Sequence, residues 1–335
     1  MRGKRKYQLA NFLEFLRQYS PNWGRKILPK WFKNLLQDLQ WHFYRQNGSS
    51  LQGRVKPLSR PILLITVPKC GTHLLRSIVL HLPAARWRGT FTNILPMPER
   101  LDRFERIKRS FKNPGAGHVR SGHIAYDAEL SKWLDEQGIR KIFIYRDPRD
   151  YVVSHYHFIM DPKKKIPLFP LFSGMETNHS RLMACIRGIG KDKASTQFTT
   201  TSLPNVSLFY GQFLGWLEDP NTFSIQYEDI MANQPGHLNH TVFQKAKSMF
   251  EYLEILKEEN MLSDTLLSSF LKSAIDPNKS PTFRLGKTGA WKDEFAFEHV
   301  QAFKEIAGDL LIQLGYEHDL GWQFQGQNKV KTSSK

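Results

Sequence analysis

Three short stretches of this chain gather the residue types that hold anions and move protons. The first is "TVPKCGTH", residues 66–73, which leaves the apolar run "ILLIT" and enters "HLLRSIVLHL". The run before it is short and β-branched, and the one after it has apolar positions at helical spacing, so the unit reads strand, tight loop, helix. Gly71 lets backbone approach an oxyanion, Thr72 and His73 add donors, and Lys69 adds a full charge. With the positive end of the following helix, these make a phosphate cradle. It is not a Walker A loop, in which the Lys follows the second Gly of a longer turn.

The second stretch, "KIFIYRDPRDYVVSHYHF" at 141–158, sets Arg146 just past an apolar strand and Ser154 eight residues on, along a helix that Pro148 can start. An Arg at the carboxyl end of a strand lies where open α/β sheets bind ligands, and its planar fork suits a phosphate. The same Arg could instead pair with Asp147 or Asp150 at the helix start. The third, "FRLGKTGAWKDEF" at 283–295, is too Gly-rich for a regular element and holds Arg284, Leu285, Gly286 and Lys287. Standing alone, it could equally be a solvated turn. His155 and His157 point to different sides of a helix, which excludes a metal pair there.

These stretches need a scaffold, and the apolar periodicity alternates between strand and helix from residue 61 onward. Strands are expected near 62–67, 119–124, 141–145 and 223–227, and helices over 72–82, 128–137, 149–158, 204–217, 241–256, 263–274 and 297–314. That alternation predicts an α/β fold with a parallel central sheet covered by helices on both faces. Residues 161–202, with Pro162, Pro167, Pro170 and the lysines 163–165, read as an irregular excursion of the kind that often binds ligands.

The chain of 335 residues carries a formal net charge of +17, and residues 1–60 supply eleven of those charges, with only Glu14 and Asp38 as acids. Within this leader Leu28, Trp31, Phe32, Leu35, Leu36, Leu39 and Phe43 form an amphipathic stripe. The stripe either docks on the body or gives residues 1–45 a peripheral contact with an anionic membrane. The expected organisation is an extension and linker over 1–58, a body over 59–320 and a polar tail over 321–335. No run is long and apolar enough to span a bilayer, and no secretory cleavage site is recognisable, so a cytoplasmic location is expected. Two cysteines make a disulfide framework implausible.

Taken together, the three stretches resemble the cytosolic-type sulfotransferase family. That family has a Pro-Lys-Ser-Gly-Thr-Thr loop, an Arg-Asn/Asp-Pro-x-Asp segment followed by a Ser, and a C-terminal Arg-x-Gly-x-x-Gly-x-Trp-Lys motif. All occur here in family order across residues 61–316, with "SGHIAY" at 121–126 and "YED" at 227–229. The resemblance implies a P-loop-like nucleotide fold and, as co-substrate, 3′-phosphoadenosine 5′-phosphosulfate. Lys69, Cys70, Gly71, Thr72 and His73 would hold the phosphosulfate, and Arg146, Ser154, Arg284, Leu285 and Gly286 the 3′-phosphate. Tyr227 matches the family's nucleotide-contacting Tyr, and His123 falls where the catalytic base is expected. The chain departs from the pattern with Cys70 for Ser, His73 for the second Thr, Leu74 for the adenine-stacking Trp and Leu285 for a basic residue.

Sulfuryl transfer itself asks for these groups. Lys69 and oriented N–H groups can neutralise developing charge without a metal ion, and a histidine near neutral pKa can take the acceptor's proton. The expectation is therefore a sulfotransferase acting on a hydroxyl or amine of a small-molecule or carbohydrate acceptor, with no metal and no nucleic acid partner. Two alternatives stand beside it: a non-catalytic nucleotide- or polyanion-binding protein at a membrane, and a P-loop kinase, whose Walker Lys and Mg²⁺ site are missing. Cys70, beside Lys69 at a helix start, is expected to have a lowered thiol pKa and to be oxidation-sensitive. No dimer motif is recognisable in "KDEFAFEHVQAFKE", so no oligomeric state is assigned.

Overall fold

The computed structural model describes residues 51–91, 102–190, 202–231, 240–257, 262–275 and 288–323. In chain order these hold β1 (Ile62–Thr66), α1 (Thr72–Leu80), β2 (Arg86–Phe91), α2 (Asp102–Ser110), β3 (His118–Gly122), α3 (Ala128–Glu136), β4 (Arg140–Tyr145) and α4 (Pro148–Met160). After a 3₁₀ turn at Pro162–Lys164 come α5 (Phe169–Ser173), α6 (Asn178–Arg187), α7 (Val206–Gly211), α8 (Gly215–Glu218), β5 (Thr222–Gln226) and α9 (Tyr227–Met231). The last elements are α10 (His240–Tyr252), α11 (Asp264–Ala274), α12 (Trp291–Glu294) and α13 (Phe297–Gln313).

Every residue of β1 is buried, and its side chains divide strictly by parity. Leu63 and Ile65 join an apolar cluster with Phe143, Tyr145 and residues of α3, α4, α6, α7 and α13. Ile62 and Leu64 join a second cluster with Ile142, Ile144 and residues of α1, α10 and α11. A strand apolar on both faces has to be sandwiched by helices, and each such side chain contributes roughly 1.5–3 kcal/mol on burial. The sheet is wholly parallel in the order β2-β3-β1-β4-β5, as the alternating periodicity predicts. After β1 the chain departs toward β2, and after β4 it departs toward β5, so the carboxyl ends of β1 and β4 flank the switch point where such sheets leave a crevice.

Several elements differ from the sequence expectation. Strand β2, "RWRGTF", was not expected. It is an edge strand, with Trp87 buried and a register shift between Trp87 and Thr90 around Gly89, whose φ is +104. Two arginines and a Gly within six residues resemble a turn locally, yet charges suit an edge strand. Helix α2 was also missed. The excursion at 161–202 contains α6, which Thr177 caps by accepting from the Ser180 N–H at 3.1 Å and which Gly188 ends at φ +75. The single helix expected over 204–217 is two: between them the Gln212 carbonyl accepts the Tyr126 N–H at 2.8 Å, and the Trp216 and Leu217 N–H groups bond three residues back at 3.0 and 2.8 Å. From Leu51 onward the stretch read as linker is packed: Leu51, Val55 and Leu58 are buried, and the Lys56 N–H donates to the Ile255 carbonyl at 2.6 Å. The amphipathic stripe at 28–43 and the tail from 324 lie outside the described residues.

Candidate active site

The loop leaving β1 is shaped by two left-handed residues, Lys69 at φ +67 and Gly71 at φ +100. For Lys69 that region is sparsely populated, a local strain of the kind found at binding sites. Gly71 is required: a Cβ there would lie 2.7 Å from Tyr227 Cδ2 and 3.1 Å from Ile144 Cδ1. As the residue preceding α1, Gly71 offers no side-chain cap, and the first turn of α1 carries no acid. The amino end of α1 therefore keeps its orphan N–H groups and partial positive charge for another acceptor. The Lys69 ammonium sits 4.2 Å from the centre of the Phe158 ring on α4, with Ser154 one turn earlier on the same helix face.

Thr66, the last residue of β1, joins this loop to the end of β3. Its carbonyl and its Oγ1 each lie 2.9 Å from His123 Nδ1, and its Oγ1 lies 2.9 Å from Thr72 Oγ1. A carbonyl only accepts, so it favours the tautomer with the proton on Nδ1 and a lone pair at Nε2, whereas the Thr66 hydroxyl can serve either tautomer. Burial pulls the His123 pKa below 6.5; the Thr66 hydrogen bond opposes this and the nearby Lys69 charge adds to it. His73 is held the other way round: Arg76 Nη2 donates to its Nδ1 at 2.8 Å, which leaves the proton on Nε2. Burial, then Arg76, Lys69, His123 and Lys164, lower the His73 pKa to about 3. At neutral pH His73 is thus a hydrogen-bond donor and not a titrating group. His155, bonded through Nδ1 to Tyr151 Oη at 2.8 Å, is likewise brought down to about 3 by burial and Lys69.

Arg146 follows β4 and is nearly buried. Its guanidinium lies 4.5 Å from the Tyr227 ring and donates to Asp150 Oδ2 at 3.2 Å. Its backbone is clamped by Tyr210, whose hydroxyl accepts from the Arg146 N–H at 2.8 Å and donates to the Arg146 carbonyl at 2.5 Å. Pairing with Asp150, one alternative open from sequence, is therefore present alongside the position at the sheet edge. Asp150 also accepts from the backbone N–H of Gly289 at 2.8 Å and of Trp291 at 3.0 Å, so the C-terminal Gly-rich segment is tied beside Arg146. Arg149, the second arginine of "RDPRD", is structural. It pairs with Asp147 and Glu317 and is stacked between Trp291 at 4.2 Å and Trp322 at 4.8 Å. Glu228 completes this frame by accepting from the Asp147 N–H and from Tyr316 Oη.

The structure thus brings Lys69, Cys70, Gly71, Thr72, His73, His123, Arg146, Ser154 and Tyr227 to the carboxyl edge of β1, β3, β4 and β5. Arg284, Leu285 and Gly286 lie outside the described residues. The expectation for Cys70 is overturned: the residue is fully buried, and burial pushes its thiol up to about 12 against the opposing influence of Tyr210, Arg146 and Lys69. A helix terminus and a cation lower a thiol pKa only where the thiolate can be solvated. Sequence reasoning missed Thr66, Arg76 and Tyr210, and named Asp150 only as a rival partner for Arg146; of the three missed, only Thr66, adjoining the loop, carried a local signal. Among the described residues no cluster of His, Cys, Asp or Glu could hold a metal ion, and no helix is long and apolar enough to cross a membrane.

Residues 59–315 match the sulfotransferase domain family. Sulfotransferase 6B1 of Danio rerio is 26% identical over 175 residues, 49% of each chain, so the matched region spans about half of that relative. Sulfotransferase 6B1 of Mus musculus is 23% identical over 253 residues, 71% of each chain. The crystal structure of mouse sulfotransferase SULT7A1 complexed with PAP superposes with a TM-score of 0.52 at 19% identity, covering 79% of this chain and 89% of that one, a likeness of fold.

Proposed function

The chain belongs to the sulfotransferase domain family, and from that premise we propose that it transfers a sulfuryl group from 3′-phosphoadenosine 5′-phosphosulfate to a hydroxyl or amine acceptor. The observation that carries this reading is the convergence at one crevice of an uncapped helix amino end, a lysine, a near-buried arginine and a histidine with its lone pair free at Nε2. The residues fit the nucleotide: Lys69 and the N–H groups at the uncapped amino end of α1 favour an anion, and the Tyr227 ring packs against Gly71 beside them. Lys69, Cys70, Gly71, Thr72 and His73 would hold the phosphosulfate, and Tyr227, Arg146, Ser154, Arg284, Leu285 and Gly286 the nucleoside 3′-phosphate side. The donor, when bound, supplies an activated sulfuryl group.

In this reading His123 Nε2 takes the acceptor's proton during in-line attack, while Lys69 and the amino end of α1 offset charge on the oxygens that leave with the nucleotide. His73, neutral, donates from Nε2. Phe158 and the lysines at 163–165 border the acceptor, which we assign to small-molecule or carbohydrate hydroxyls and amines. The basic leader over 1–45 would serve peripheral membrane contact around a cytoplasmic body spanning 59–320. The test is incubation of the full chain with labelled donor in EDTA and a panel of phenols, alcohols, amines and glycosaminoglycans. Transfer that persists in EDTA and is lost in His123→Ala, with nucleotide binding kept, supports the proposal. Nucleotide binding without transfer to any of the panel would overturn it in favour of a binding protein, and metal-dependent transfer of phosphate from ATP in favour of a kinase.

A further inference from the structure

We infer that Thr66 is a positioning residue that couples occupation of the loop after β1 to the tautomer of His123. The inference rests on the sulfotransferase reading in taking His123 as proton acceptor. Thr66 is fully buried at the end of the central strand, with its Cα in register with Ile144 of β4, so it is held rigidly. Its hydroxyl is the middle member of a three-group chain, 2.9 Å from His123 Nδ1 on one side and 2.9 Å from Thr72 Oγ1 on the other.

A hydroxyl has one proton to give, so when Thr66 and Thr72 both donate along the chain it runs in one of two polarities. In the outward one, His123 Nδ1–H points to the two Thr66 oxygens, Thr66 O–H donates to Thr72, and the Thr72 proton is left to donate beyond the chain. In the inward one, Thr72 donates to Thr66 and Thr66 donates to Nδ1, which moves the ring proton to Nε2 and removes the lone pair that the reaction needs. The Thr66 carbonyl biases the chain outward. An anion at the amino end of α1, which begins at Thr72, accepts the Thr72 proton and so holds the outward polarity. Donor binding thereby fixes the histidine as a base, with no movement of backbone. Lys69 also faces this region and bears on the charge of His123, and His123 and Lys69 on that of His73, whereas the tautomer is set through Thr66.

The test uses the full chain with nitrogen-labelled histidine, comparing wild type, Thr66→Val and Thr66→Ser with and without saturating adenosine 3′,5′-bisphosphate. Long-range proton–nitrogen spectra report the His123 tautomer, and calorimetry reports binding. Wild type and Thr66→Ser should gain Nδ1–H character at His123 on binding. Thr66→Val, nearly isosteric but without the hydroxyl, should bind the nucleotide and show no such change. Thr66→Ala gives the same readout if the valine variant does not fold. A nucleotide response in the hydroxyl-free variants equal to wild type overturns the coupling alone. Failure of wild type to bind the nucleotide removes the functional reading, and the coupling with it.

Discussion

Asp150 and Trp291 are 141 residues apart in sequence, yet the Asp150 carboxylate accepts the Trp291 backbone N–H at 3.0 Å while its other oxygen holds Arg146 and the Gly289 N–H. One buried acid therefore fastens the C-terminal segment to the arginine at the end of β4. Removing it in Asp150→Ala takes the carboxylate from a buried guanidinium and from two N–H groups, a change that costs about 3–5 kcal/mol where a buried pair is broken. Asp150→Asn keeps one accepting oxygen and should lose less. Urea unfolding should rank the variants in that order, and calorimetry should show weakened binding of adenosine 3′,5′-bisphosphate. A folded alanine variant that binds as wild type does would show that the tether has no part in the site.

His123 gives the second prediction, a pH profile. Its folded pKa lies below 6.5 because burial and Lys69 disfavour the charged ring. A base must be unprotonated to act, so turnover should rise with pH through a midpoint below 6.5. The linked stability has the same sign: the unfolded chain binds the proton more readily, so the contribution is complete above 6.5 and declines as pH falls toward the folded value. His123→Ala should lower transfer ~10²- to 10⁴-fold. Initial rates across pH, with donor saturating, would refute the assignment if the rising limb fell above 7.

Cys70 should be inert. With no exposure and a thiol pushed up to about 12, it offers neither access nor thiolate, and Cys185 is buried with its thiol raised by the same cause. A disulfide reagent should label neither cysteine in the folded protein and both after unfolding in guanidinium. Peroxide should inactivate wild type and Cys70→Ser at equal rates; protection by the serine would instead require an opening motion at the loop.

The parallel sheet was legible because β1 and β4 are apolar on both faces, a pattern that no solvent-facing strand supports. Strand β2 was not, because its stability comes from pairing with β3 while its own residues alternate Arg86, Trp87 and Arg88. Helix α6 had its Thr177 cap and apolar face in view, but prolines and lysines upstream dominated the reading of the whole segment. At the site, Lys69, Arg146 and His123 announce themselves by type and place. The contacts that orient them do not: Tyr210 reaches Arg146 across 64 residues, and Asp150, four residues from Arg146, ties it to Gly289 and Trp291 across 139 and 141, through contacts that only the fold creates. Cys70 failed for a related reason, since local charge was legible and burial was not.

Gly71 supplies the last prediction. Two independent constraints act there: a φ of +100, which disfavours any Cβ, and the Tyr227 ring 2.7 Å from where that Cβ would stand. The backbone alone costs Ala about 1–2 kcal/mol in a left-handed conformation, and the contact adds to it by pushing either the loop or the tyrosine away from Arg146. Gly71→Ala should therefore lower the urea midpoint and weaken nucleotide binding together. Adding Tyr227→Leu to it relieves the collision but not the dihedral, so the double variant should recover part of the lost stability. Binding should stay weak, because the ring that packs on Arg146 is gone. Full recovery of both in the double variant would mean that the loop's left-handed turn is not what shapes the site.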